Sequence, residues 1–116
     1  MAAGRAKHMP RAARRYDIFL PLAFNDGRSI PADLFDAVER RLLTHFGGVT
    51  AQQRDFPLRG AWRSELQLYL DQVIVLTVLD FRPRGSTRFM GELKRDLLRE
   101  FDQLEILITE STLRVH

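Results

Sequence analysis

Residues 38–46, VERRLLTHF, and residues 93–101, LKRDLLREF, decide the fold, because the second stretch repeats the first at an offset of 55 residues. The identical pairs are Arg40 and Arg95, Leu42 and Leu97, Leu43 and Leu98, and Phe46 and Phe101. The same offset lays the apolar residues 18–20 over 73–75, and residues 49–51 over 104–106. Strand, helix and strand therefore recur in one order, which predicts two similar βαβ halves.

Both repeated stretches have the apolar spacing of amphipathic helices. The first helix is predicted to begin near Pro31, since proline is tolerated in a first helical turn, and to end at the glycine pair 47–48. The second is predicted to follow a cap at Ser86 or Thr87 and to continue to Phe101.

Four strands are predicted around these helices. The alternation of residues 16–22 and the β-branched run 73–79 mark the first and third strands, the third spanning 66–80. The second is predicted as two pieces, 49–54 and 61–63, interrupted at Pro57 and Gly60, and the last spans 104–109.

The resulting order, βαββαβ, predicts a ferredoxin-like α+β plait. This fold has one four-stranded antiparallel sheet, two helices on one face, and here a long hairpin between the second and third strands. Right-handed crossovers are expected to place the first and third strands adjacent and parallel in the middle. The repeat register assigns to the helix-covered face Ile18, Leu20, Leu22, Val73, Val75, Leu104, Ile106 and Ile108, and to the open face Phe19, Ile74, Leu76, Val78 and Leu107.

Five large apolar side chains on the open face predict an interface. Another copy of the chain, packed sheet against sheet, is the simplest cover, which predicts a homodimer. The alternative is that the hairpin around Trp62 and Tyr69, or the N-terminal tail, folds back over the sheet.

The composition is that of one globular domain, with 116 residues, 45% apolar and 28% charged. The chain lacks cysteine, which excludes disulfides, thiolate catalysis and cysteine-ligated zinc. Without a long apolar run or a signal-peptide pattern, a soluble cytoplasmic protein with no membrane partner is expected.

The positive charge is concentrated at the start of the sequence. Residues 1–15 hold five of the 18 basic residues and no acidic ones, so residues 16–116 have 13 basic against 15 acidic residues. A disordered basic tail, 1–15, is predicted to precede a single domain, 16–116. The alternative is an arm that binds a nucleic-acid backbone.

Catalytic motifs are not evident. His8, His45 and His116 have no acidic residues at a metal-ligand spacing, and no serine lies in a nucleophile-elbow context. We therefore predict no catalytic residue, metal or cofactor, and interpret the chain as a non-catalytic module.

Two local groups are candidate binding sites. Arg82, Arg84 and Arg88 flank a glycine and two hydroxyls before the second helix, a pattern that favours anion binding. Trp62 and Tyr69 are expected to stack across the hairpin, and with Asp71 they form a possible pocket.

The sequence resembles a group of small bacterial proteins with the same order of elements and no assigned activity. The resemblance covers about residues 16–112. It rests on residues 16–22, the Asn25-Asp26-Gly27 turn, the FGGVT junction at 46–50, the Gly60-x-Trp62 pair, Asp71 and residues 104–108. The resemblance implies the fold, and it supplies no catalytic residue that could be assigned to this sequence. Ser64-Glu65 departs from the glycine that such proteins tend to have at this turn.

Three functional hypotheses follow. The first is a homodimeric assembly module that uses the open sheet face. The second is a small dimeric α+β-barrel enzyme or ligand-binding protein with its pocket between the sheet and the helices, near Trp62, Tyr69 and Asp71. The third is a nucleic-acid accessory protein that uses the tail and the loop from Arg82 to Arg88.

Overall fold

The chain forms an α+β structure with two helices and an antiparallel sheet of five strands. The computed structural model describes residues 9–116, apart from the side chain of Ser64. Within this range, no helix is long and apolar enough to cross a membrane. The elements are β1 (Arg11–Pro21), α1 (Ala32–Phe46), β2 (Thr50–Ala51), β3 (Leu58–Ser64), β4 (Gln67–Asp80), α2 (Thr87–Glu100) and β5 (Ile108–Val115).

The sheet has the order β2-β4-β1-β5, and β3 also pairs with β4. Thr50 of β2 lies opposite Thr77, and Leu58 of β3 lies opposite Val73. Both strands therefore pair with the same edge of β4, one after the other. The interrupted second strand is therefore present, but as two strands, which makes five rather than four. The central pair, β1 and β4, is antiparallel, so the prediction of parallel central strands is wrong.

The helix-covered face takes the even-numbered residues of both central strands. Ile18 lies opposite Leu76, and Leu20 opposite Ile74, and directly opposed residues share a face of the sheet. The core on this face contains Tyr16, Ile18, Leu20, Ile74, Leu76 and Val78 from the sheet and Phe35, Val38, Leu42, Met90, Leu93, Leu97 and Phe101 from both helices and the residue after α2.

This register corrects the faces predicted for β4. Ile74, Leu76 and Val78, assigned to the open face, are at most 1% exposed in the core. Val73 and Val75, assigned to the core, are half-buried on the opposite face, where Val75 lies opposite Phe19. A displacement of one residue moves every side chain of a strand to the other face, so the predicted five-residue patch does not exist.

The ends of the sheet also differ from the prediction. β1 begins at Arg11, and its first residues pair with β5, so the prediction of a disordered tail is wrong for residues 11–15. Residues 1–8 of that tail lie outside the described part of the chain. β5 begins at Ile108, four residues later than predicted, because the chain turns at Asp102 with φ 49° and continues without regular structure. Leu104 is consequently 96% exposed, whereas Ile106 enters the core.

The helix ends follow local chemistry as predicted. Pro31 precedes the first residue of α1, and Gly47 ends the helix with φ 81°, its N–H donating to the Leu43 carbonyl. Ser86 precedes α2. Its hydroxyl makes no cap hydrogen bond and binds elsewhere, as described below.

Candidate functional site

The β3–β4 hairpin brings Trp62, Tyr69 and Asp71 together. Trp62 lies directly opposite Tyr69, and their rings stack with centroids 4.3 Å apart and planes 13° from parallel. The indole Nε1 donates a hydrogen bond of 2.8 Å to Oδ2 of Asp71. Gly60 lies opposite Asp71, so no side chain separates the carboxylate from the indole. We call this group the hairpin cluster.

The hairpin cluster is accessible to a ligand. Trp62 is 50% exposed, and Tyr69 is half-buried. The other carboxylate oxygen of Asp71, Oδ1, accepts no hydrogen bond from any residue that the structure describes. The cluster therefore presents an aromatic surface beside a carboxylate with remaining acceptor capacity.

The turn of the hairpin contains a glutamate in a backbone conformation that favours glycine. Ser64 pairs with Gln67, which leaves Glu65 and Leu66 as the loop, and Glu65 adopts φ 54°. This is the conformation that favours glycine, so the glycine expected by resemblance is replaced at a strained position.

The opposite face of the hairpin has exposed leucines beside arginines. Leu68 lies opposite Arg63, and Leu70 lies opposite Ala61, and the two leucines are 61% and 63% exposed. Leu66 at the turn is fully exposed. Adjacent exposed leucines on a projecting hairpin are typical of a contact with another chain.

The open sheet face is mixed rather than uniformly apolar. Phe19 and Val75 lie next to Asp17, which accepts a 2.6 Å hydrogen bond from the Thr77 hydroxyl and pairs with Arg15. Leu107, the residue before β5, is 53% exposed. Phe19 and Leu107 thus remain accessible as predicted, without the three aliphatic neighbours assigned to them.

The loop before α2 places Arg82, Arg84 and Arg88 beside residues of α1. No residue of α1 was predicted to belong to this site. Arg40, Arg41 and His45 line the same pair of adjoining depressions, which share His45, Arg82 and Phe89. We call this surface the arginine groove. Helical spacing placed Arg40 on the solvent side of α1, but only the tertiary fold brings it near the loop.

The groove rests on a buried polar network. Ser86 Oγ donates to Asp80 Oδ2 over 2.7 Å and lies 3.2 Å from His45 Nε2. The main-chain N–H of Ser86 donates to the Tyr16 hydroxyl over 2.9 Å. Arg82 completes the network by donating to Asp80 Oδ1 and to the His45 carbonyl.

The charges of this network are set by burial and pairing. Burial acts to raise the pKa of Asp80, but hydrogen bonds from Ser86 and Arg82 and the charge of Arg82 outweigh it, so the pKa lies below 3.8. Burial lowers the pKa of His45 below 6.5, and Arg82 lowers it further, against the opposing effect of Asp80. At neutral pH a carboxylate therefore faces a neutral imidazole.

This arrangement is not a hydrolytic triad. Serine lies between the carboxylate and the histidine, and its single proton is donated to Asp80. Because Ser86 Oγ has no second proton, His45 Nε2–H must be the donor to it. The histidine cannot act as the base that activates this serine, and the network instead fixes the loop. Among residues 9–116, no three potential metal ligands cluster.

The fold and these two surfaces define a small α+β protein with one candidate site on the β3–β4 hairpin and another beside the start of α2. No family model matches the chain, and no curated protein is similar to it in sequence. Among solved structures, it is similar to a phage SAM lyase in complex with S-methyl-5′-thioadenosine, with a TM-score of 0.61 and 14% identity over 97% of this chain and 95% of the other. The phage SAM lyase in its apo state gives 0.57 and 14%, over 98% and 95%. At this identity the likeness establishes the fold alone.

Proposed function

We propose that this protein is a ferredoxin-like plait that binds S-adenosylmethionine through the hairpin cluster and cleaves it as a lyase. The carrying observation is the half-exposed stack of Trp62 on Tyr69 with the Asp71 carboxylate bound to the indole. The similarity of fold, along almost the whole length of both chains, to a lyase solved in complex with S-methyl-5′-thioadenosine supports this choice of ligand. The chain would then be an enzyme, as in the second hypothesis, rather than a non-catalytic module. Tyr69 and Asp71 share the face of Val73 and Val75, so the site lies on the open side of the sheet and not between the sheet and the helices, as was predicted.

The residue types of the cluster suit the parts of this ligand. Adenine is flat and stacks on aromatic rings, which typically contributes about 1–3 kcal/mol per base. S-adenosylmethionine also bears a positive sulfonium, which is attracted to a carboxylate and to aromatic faces. Asp71 supplies that carboxylate, and its free oxygen can accept a hydrogen bond from ribose or pair with the cationic part of the ligand.

The reaction needs no second substrate. When the bond between sulfur and the four-carbon amino acid portion breaks, its electron pair passes to sulfur, and the neutral thioether S-methyl-5′-thioadenosine remains. The carbon that loses sulfur gains its electron pair either from the fragment's own carboxylate oxygen, which closes a lactone, or from a neighbouring C–H bond whose proton passes to water, which leaves a double bond. Because the positive charge on sulfur disappears, exclusion of water favours the transition state over the charged ground state, whereas the attraction of Asp71 and the rings for the sulfonium serves to bind the substrate.

A water-poor site requires a second wall, which we assign to another copy of the chain. The cluster lies on a two-stranded hairpin with Trp62 50% exposed, so the partner copy has to cover the Trp62–Tyr69 face. Leu68 and Leu70 on the other face are a second exposed surface that association can bury. Association of hairpins would bury these leucines at about 1.5 to 3 kcal/mol for each side chain fully covered, before the entropic cost of association. The proposed assembly is a homo-oligomer, of which the predicted homodimer is the smallest form.

The single tryptophan of the chain makes the proposal directly testable. Trp62 fluorescence is expected to change on titration with S-methyl-5′-thioadenosine, because adenine would stack on its ring or on its partner Tyr69. Asp71→Asn keeps an acceptor for the indole N–H but removes the charge. This variant should bind S-adenosylmethionine about tenfold more weakly, since charge-assisted bonds contribute about 1.5–3 kcal/mol when buried and less here.

The neutral thioether provides the matched comparison. The affinity of S-methyl-5′-thioadenosine should change little in Asp71→Asn, because this ligand has no positive charge for Asp71 to attract. Equal weakening of both ligands would contradict a sulfonium-binding role for Asp71. Saturating ligand without any change in Trp62 fluorescence would contradict the site itself.

A further inference from the structure

We infer that the arginine groove binds the phosphodiester backbone of a nucleic acid. This is a second site, separate from the hairpin cluster and independent of the lyase proposal. It is built from the end of α1, the loop after β4 and the first turn of α2, which contribute Arg40, Arg41, His45, Arg82, Arg84 and Arg88.

The groove is positive even when each carboxylate that forms an ion pair with its arginines is counted. Its five arginines face three acidic partners, so the local net charge is +2. Arg82 pairs with Asp80, whose side chain is fully buried, and Arg88 pairs only at the surface with Glu92. Arg40 and Arg84 form no ion pair with any residue that the structure describes.

Two of the five guanidinium groups, those of Arg41 and Arg82, are held in place by neighbouring residues. Arg41 lies over the Phe89 ring, 5.5 Å from its centroid, and pairs with Asp96 at 2.9 Å. Arg82 lies over Phe46 at 5.7 Å and donates to the His45 carbonyl. Fixed positions reduce the side-chain entropy lost on binding a polyanion.

An aromatic pair separates the two halves of the groove. His45 stacks on Phe89 with centroids 3.8 Å apart and planes 11° from parallel. Since burial and Arg82 keep the pKa of His45 below its ordinary value, this pair is neutral at pH 7. A flat neutral surface between cationic groups matches the alternation of bases and phosphates along a strand.

The spread of charge favours a chain of phosphates over a single one. A lone phosphate is normally held by groups that converge on it, often by a bidentate arginine. Here Arg82 already commits two of its five N–H donors, one to Asp80 and one to the His45 carbonyl. The remaining arginines come from three separate elements along two adjoining depressions.

The test measures anisotropy of fluorescein-labelled nucleic acid with the full chain. Single-stranded DNA, single-stranded RNA and duplex, each about 20 nucleotides long, identify the preferred form. Between about 50 and 200 mM salt, the logarithm of affinity should fall linearly with the logarithm of salt concentration. Failure of all three forms to bind at low salt would overturn the proposal.

Two triple variants separate the groove from net charge. The groove variant is Arg40→Gln, Arg84→Gln and Arg88→Gln, which leaves the buried Asp80–Arg82 pair intact. The control is Arg59→Gln, Arg95→Gln and Arg114→Gln, three exposed arginines on β3, α2 and β5 that form no ion pair among the described residues. Both lose three charges, and circular dichroism verifies their folding.

Loss of three phosphate contacts should weaken single-strand binding about 100-fold at about 0.1 M salt. Each contact contributes about 0.7 to the slope of the logarithm of affinity against the logarithm of salt concentration. The control should bind within a few-fold of the unaltered protein. Equal weakening of both variants would overturn the proposal, since net charge alone would then explain binding.

Two further measurements distinguish the groove from a single-phosphate site and from binding by the N-terminal tail. Inorganic phosphate should compete only at concentrations where ordinary salt of equal ionic strength competes as well, and stronger competition would indicate a single-phosphate site. Deletion of residues 1–8, which contain Arg5 and Lys7, should leave the effect of the groove variant unchanged. Binding that depends on the tail and ignores the groove variant would overturn the assignment.

Discussion

Replacement of Leu76 by alanine tests the register that places one face of β4 in the core. Leu76 is completely buried and lies opposite Ile18, which is also completely buried, and Ala51 of β2 flanks it on the other side. Buried Leu→Ala substitutions cost about 2–5 kcal/mol, from lost transfer energy and from the cavity that remains. We expect about 3 kcal/mol, because a site between two paired strands cannot collapse easily.

Val75→Ala is the matched control, one residue away on the other face. Its side chain is half-buried, so removing two methyl groups at about 0.8 kcal/mol each when fully buried should cost about 0.8 kcal/mol. Urea denaturation of both variants at equal protein concentration gives the two free energies of unfolding. A larger cost for Val75→Ala than for Leu76→Ala would refute the register and restore the face first predicted from the repeat.

Three further predictions concern the loop and the hairpin. Asp80→Asn should lower the free energy of unfolding at pH 7, and this deficit should shrink below about pH 4. The pKa of Asp80 is lower in the folded protein, so the ionised carboxylate stabilises the fold and this stability is lost as pH falls through that pKa. Urea titrations at both pH values measure the deficit, and a deficit that does not depend on pH would contradict the prediction. Gly85→Ala should cost about 1–3 kcal/mol, since φ is 69° and a Cβ would lie 2.8 Å from the Tyr16 hydroxyl, whereas Gly91→Ala on the exposed helix should stabilise by about 0.5–1 kcal/mol; thermal melts that show equal shifts would be inconsistent with strain at Gly85. Leu68→Asp with Leu70→Asp should give a monomer by sedimentation velocity, and the control Leu43→Asp with Leu104→Asp, two leucines exposed elsewhere, should not; an unaltered chain that is already monomeric would disprove the proposed assembly.

The sequence contains enough local information for the helices and the hairpin. Pro31 and Gly47 mark the ends of α1 through backbone geometry that few other residues satisfy. The Trp62–Tyr69 stack follows from counting residues back from a short turn. Such features depend on neighbours in sequence, so the sequence predicts them.

The face of β4 depends on a distant partner and could not be predicted in this way. Residues 73–79 are almost continuously apolar, so no alternation distinguishes one face from the other. The repeat register treated β4 as a copy of β1 and matched Ile18 to Val73. Antiparallel pairing instead sets Ile18 opposite Leu76, which reverses the face of every residue in the strand.

The arginine groove was predicted only in part for a similar reason. Arg82, Arg84 and Arg88 are close in sequence, and their loop drew attention by composition. Arg40, Arg41 and His45 join them only because the end of α1 packs beside the start of α2, where His45 meets Ser86 and Phe89. Within the repeat, Arg40 and Arg41 corresponded to residues of α2, which gave no reason to place them beside the loop.

The most direct measurement is the conversion of S-adenosylmethionine by the purified protein, followed by chromatography and mass spectrometry. The account predicts release of S-methyl-5′-thioadenosine in proportion to protein concentration, strongly reduced in Trp62→Ala and Asp71→Asn and retained in Arg95→Gln, a substitution on the exposed side of α2. Turnover that is absent from the unaltered protein, or that is the same in all three variants, would contradict it.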